Sequence, residues 1–85
     1  MKITGKQLAA ARSLLGWSQE HLADAADVNS QTIMRWETGQ TTPHESTVKR
    51  IVQVIEAFGV EFLNGGRPGV RMKGKPEAEQ GTSAD

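Results

Sequence analysis

The chain contains no cysteine and no tyrosine, three prolines, and aromatics at only 5% of its 85 residues. Without cysteine there is neither a disulfide framework nor a thiolate metal site. The two histidines, His21 and His44, stand far apart and form no ligand set, so no metal and no cofactor is expected. Their acidic neighbours, Asp24 and Glu45, read as surface companions, and with no HExxH and no phosphate-loop signature an enzyme is not expected. No apolar run approaches the roughly 20 residues of a membrane helix. Met1-Lys2-Ile3 leads into a helix start and not into a signal peptide, so the expected location is the cytoplasm, with no membrane partner. A chain this short makes one small domain with a modest core, stabilised by helix packing and by dimerisation.

An excess of charge is missing too. Ten Lys and Arg balance ten Asp and Glu, whereas nucleic-acid binding draws much of its affinity from neutralising phosphates and usually leaves a basic footprint. The distribution softens that objection. Arg67, Arg71, Lys73 and Lys75 fall in one acid-free stretch, while Glu77, Glu79 and Asp85 gather in the tail, so the folded part carries a small positive excess.

What is present is helical periodicity with clear boundaries. Thr4 and Gln7 have the form of a capping box, with Ile3 as a staple, and a first helix is expected from Gly5 to Leu15. Its stripe is Leu8, Ala11 and Leu15, with Arg12 on or beside it; Gly16 ends it in the left-handed conformation. Trp17 reads as a core plug between helices. Ser18 caps a second helix ending near Ala26, with Gln19 and Glu20 in its first turn. Asp27 takes the turn, and Asn29 caps a third helix from Ser30 to Thr38, stopped by Gly39. Thr42-Pro43-His44-Glu45 reads as a Thr cap followed by proline at the first helical position. The fourth helix should run from there to Phe58, burying Val48, Ile51, Val52, Ile55 and Phe58.

After Gly59 the period changes from 3.6 to 2. Val60-Glu61-Phe62-Leu63 and Val70-Arg71-Met72-Lys73 flank a turn-rich segment and read as a β-hairpin. Two isolated strands are marginal in water, so the hairpin needs cover from the helices or from a second copy of itself. The expected division is a helix-turn-helix domain over 1–59, a hairpin and dimerisation element over 60–73, and a disordered tail over 74–85.

The second and third helices meet at a tight turn, and the third turns Ser30, Gln31, Met34, Arg35 and Thr38 away from its apolar residues. A polar face offered by a fixed helix pair suits a DNA groove. With Trp17-Ser18-Gln19-Glu20, then Leu22-Ala23, Val28, Thr32-Ile33, Arg35, Glu37, Gly39 and Pro43 in sequence, the chain resembles the Cro/C1-type (XRE) helix-turn-helix regulators over Ile3 to Gly59. That resemblance implies a mainly α, compact four-helix lambda-repressor-like domain, here with a C-terminal β-hairpin, that binds a double-stranded DNA operator as a homodimer. It implies base contacts from Ser30, Gln31, Met34 and Arg35. Phosphate contacts would come from Gln19, Asn29, Thr38, Gln40, Thr41 and Thr42, partly through backbone N–H groups of the 39–42 loop. Arg12 and Glu37 would form a structural salt bridge. Asp27 departs from the family's usual turn glycine, and Arg35 is the one free cation on the reading helix. The competing expectation is a protein-interaction module on the same fold, an antiactivator or antitoxin whose main partner is another protein.

Overall fold

The computed structural model describes residues 3–64 and 68–73. In chain order these form α1 (Gly5–Leu15), α2 (Gln19–Ala26), α3 (Ser30–Glu37), α4 (Glu45–Ala57), β1 (Val60–Leu63) and β2 (Gly69–Met72). The turn residues 65–67 and the tail expected to be disordered, residues 74–85, lie outside the described residues.

Each helix begins and ends for a local reason. Thr4 Oγ1 accepts from Gln7 N–H while Gln7 Oε1 accepts from Thr4 N–H, which completes the capping box. Ser18 and Asn29 accept from His21 N–H and Gln31 N–H at the starts of α2 and α3. Gly16 closes α1 at φ 71°, and Asp27 closes α2 at φ 58°. Asp27 is the only described non-glycine residue at positive φ, a conformation that aspartate tolerates better than most.

The fourth helix starts later than the sequence implied. His44, not Thr42, is its N-cap, with His44 Nδ1 accepting from Ser46 N–H, and Pro43 lies outside the helix. His44, at φ −56° and ψ 150°, is the last non-helical residue, and its carbonyl accepts from Val48 N–H in the first turn, so the helix begins at Glu45. The other end is corrected as well. Phe58 is the C-cap of α4, with φ −98° and ψ 14°; this turn swings it out of the buried face, leaving it 55% exposed.

Leu8, Leu22, Ile33, Ile51, Ile55 and Val60 are fully buried, so every element except β2 sends at least one side chain to the centre. Each such burial is worth about 1.5–3 kcal/mol against exposure. Trp17 is not the expected plug. It packs on the core from the rim, stacked on His21 at 4.5 Å between centroids and edge-on to Phe58 at 4.9 Å.

The strands pair antiparallel, Val60 with Met72 and Phe62 with Val70, and Lys73 N–H donates to Gly59 O beyond them. Of the two kinds of cover the hairpin needed, the helices supply one: α1 packs on both strands and α4 on β1, burying Val60 and Phe62. Gln7 holds it there. Its side chain is nearly buried, and Nε2 donates to Leu63 O and Gly69 O, both at 3.0 Å. Gln7→Glu keeps the capping acceptor but removes the donor and turns a carboxylate toward two carbonyl oxygens. A loss of about 2 kcal/mol is expected in urea denaturation, from groups left unsatisfied; an unchanged midpoint would show the amide to be dispensable.

Candidate nucleic-acid interface

Helix α3 buries Ile33 and Trp36 and leaves Gln31 and Arg35 exposed, with Ser30 and Met34 half-buried between the two faces. Gln31 and Arg35 are four residues apart, hence on one side of the helix and about 6 Å apart along its axis. Neither carries a structural task through its side chain in the described contacts. Asn29 does: its Oδ1 is 2.8 Å from Gln31 N, so it fixes the first turn of α3.

The helix pair makes a cleft at its shared N-terminal end. Ser18, Gln19 and Glu20 of one wall face Ser30, Gln31 and Met34 of the other around an open volume of about 360 Å³. Four residues singled out from sequence, Gln19, Ser30, Gln31 and Met34, are thus brought together. Arg35, Thr38, Gln40, Thr41 and Thr42 are not among its lining residues; they follow toward the C-terminal end of α3 and the loop after it. Glu20 was not singled out, because an acid in a helix's first turn has an ordinary explanation in the helix dipole. Only the docking of α2 beside α3 shows that it borders the cleft.

The loop after α3 is tied down by its own backbone. Gln40 N–H and Thr41 N–H both bond Arg35 O, Gly39 N–H bonds Trp36 O, and the Thr38 hydroxyl donates to Met34 O. These bonds occupy the amides of Gly39, Gln40 and Thr41, three of the backbone groups expected to face phosphate.

Beneath the polar face sits the ion pair. Arg12 Nε lies 2.8 Å from Glu37 Oε2 and Nη2 lies 2.9 Å from Oε1, a bidentate geometry joining α1 to α3. Arg12 Nη1 also donates to Trp17 O, and Gln19 Nε2 donates to Glu37 Oε1 at 3.0 Å. The Glu37 side chain is 6% exposed and that of Arg12 21%. The hydrogen bond to Glu37 raises the Arg12 pKa, against the opposing effect of burial. One carboxylate therefore anchors α1, the start of α2 and the end of α3. At the turn, Arg50 Nη1 donates to Asp27 O, bringing a cation to the place where Asp27 supplies an acid.

A family model described as a helix-turn-helix domain matches residues 4–62. The chain belongs to that family. The match covers all four helices and runs into β1. No match was found among curated proteins. Helix-turn-helix membership makes this a DNA-binding type of domain, with α2 and α3 as the paired helices. Among the described residues, no helix is long and apolar enough to cross a membrane, and no group of His, Asp and Glu is placed to hold a metal ion.

Proposed function

We propose that the chain is a sequence-specific transcriptional regulator of the Cro/C1 type, a repressor of its own operon that sets α3 into the DNA major groove as a dimer. The observation that carries this reading is the exposed pair Gln31 and Arg35 on a helix whose other side is fixed by core packing and by the Arg12–Glu37 bridge. In the groove, Arg35 grips guanine and Gln31 adenine, each in a bidentate manner, while Ser30 and Met34 contact neighbouring base edges. Gln19, Asn29, Thr38, Gln40, Thr41 and Thr42 position the domain on phosphates and carry no sequence information themselves. Gln19 then links the DNA backbone to the internal network, since its amide already holds Glu37.

Electroneutrality and Glu20 at the cleft keep the affinity of one copy modest. A salt titration on promoter DNA of its own operon tests the proposal: specific binding should weaken steeply with salt as counterions are released. Arg35→Ala should lose roughly 10- to 100-fold on the specific site and far less on random DNA. No sequence preference even at low salt would sink this reading and favour the protein-interaction module, an antiactivator or antitoxin, in its place.

A further inference from the structure

Glu20 stands on the wall of the cleft with no partner inside the protein. It is exposed in the first turn of α2, and its carboxylate takes part in none of the described hydrogen bonds or ion pairs. Its neighbours are engaged. Ser18 Oγ accepts from His21 N–H, which already caps α2, and Gln19 Nε2 donates to Glu37 Oε1 at 3.0 Å. Across the cleft, the side chain of Gln31 is as uncommitted as that of Glu20 in the described contacts.

An acid at this place works against its surroundings. Asp24 lies four residues on along α2, where like charges on one helix repel, and the DNA that α3 would enter is itself anionic. The helix dipole favours an acid anywhere in the first turn and does not account for one that borders the cleft.

We propose that Glu20 is a specificity-determining residue, whose carboxylate accepts a hydrogen bond from the amino group of a cytosine in the major groove, next to the base that Gln31 reads. This deepens the DNA reading above and rests on it.

The choice of base follows from what a carboxylate can do. It accepts hydrogen bonds and donates none. In the major groove guanine presents two acceptors and thymine an acceptor with a methyl group, so both turn lone pairs toward it. Adenine sets an N7 acceptor beside its N6 donor, while cytosine presents its N4 donor and no acceptor of its own. Cytosine is therefore the base that meets Glu20 without opposition. An amide differs, because it both donates and accepts and so matches adenine, as Gln31 does in the reading above. The two side chains on facing walls thus ask for different bases.

Glu20 also acts by rejection. Where the DNA lacks a donor at that place, the carboxylate faces acceptors and phosphates with no bond to offset them, which penalises wrong sequences. The modest affinity of one copy and its selectivity then have a common source.

Selection from randomised duplexes with the full chain, followed by titration of single-base variants of the selected site, tests the proposal. The parent should show one position at which cytosine is preferred over adenine by about tenfold or more. Glu20→Gln should turn that preference toward adenine. Glu20→Ala should leave the position nearly degenerate, with the other positions unchanged. Both variants should bind random DNA more tightly than the parent, since a charge repelled by phosphate is gone. Titrations are made well below each melting temperature, which at this exposed position should stay within about 3 °C of the parent's. A selected site that is the same for the parent and both variants overturns the proposal and leaves the DNA reading standing. So does a uniform loss of affinity with unchanged base preferences, which would mark Glu20 as structural. A parent that selects no sequence at all overturns the DNA reading itself, and the role of Glu20 with it.

Discussion

Glu37→Ala is expected to cost about 3 kcal/mol and to lower the melting temperature by roughly 10–20 °C. The substitution leaves the Arg12 guanidinium mostly buried beside the Trp17 carbonyl and removes the acceptor for Gln19. The figure reflects an abandoned charge, not the net worth of the pair, because desolvation offsets much of a buried ion pair's attraction. Three comparisons separate those quantities. Arg71 and Glu61 form a second ion pair at the same 2.8 Å, with side chains 64% and 36% exposed, and Glu61→Ala should change stability by less than about 1 kcal/mol. Glu56→Ala, on the exposed face of α4, should do as little. The double variant Arg12→Met with Glu37→Leu should recover most of the loss, since an apolar pair of similar volume leaves no charge stranded. Thermal denaturation of these four variants decides the matter; a loss for Glu37→Ala equal to that for Glu56→Ala would remove the pair from the account of the fold.

The second large effect is expected at Gly5. A Cβ built there would lie 2.0 Å from Trp36 O and 3.1 Å from Glu37 Cα. Both obstacles are backbone, so no rotamer change relieves them and α1 must shift against the end of α3. Gly5→Ala should therefore destabilise by about 3 kcal/mol or more, in the range for severe overpacking. The sign is diagnostic, because alanine is normally the better helix residue by about 1 kcal/mol. Lys6→Ala, at an exposed neighbouring position, supplies the control. The same shift would disturb Arg12 and Glu37, so Gly5→Ala should also weaken the proposed operator binding, measured well below its melting temperature.

The boundaries of α1, α2 and α3 were legible from the sequence because each cap is a local bond: Thr4 with Gln7, Ser18 with His21, Asn29 with Gln31. So was the Arg12–Glu37 pair, through family resemblance. Where the reading failed, a competing local cap or a distant contact decided. Thr42-Pro43 is a strong start signal in isolation, but His44 caps α4 instead through Ser46 N–H. Phe58 continues the apolar stripe of α4 by spacing alone, yet the helix ends one residue before it. Gln7 looked fully explained by its capping box, and nothing local announces a bond to residues 56 and 62 positions away. Gly5 likewise passes for an ordinary helix start until α3 is packed against it. In the candidate site, the exposure of Gln31 and Arg35 on one face of α3 could be read in advance, whereas the neighbourhood of Glu20 and the bonded loop amides required the docked helices.

Gln7 has a kinetic corollary. Its side chain is shared by the first turn of α1 and the turn end of the hairpin, so neither can fray without releasing the other. Those two segments, at opposite ends of the described sequence, form one opening unit in the native ensemble. Amides at Thr4 and along Val60–Leu63 should then exchange with solvent as a group, distinct from α2 and α3, whose mutual contacts are local. Closing some sixty residues of chain to make that contact places it late in folding, after the helix pair has formed.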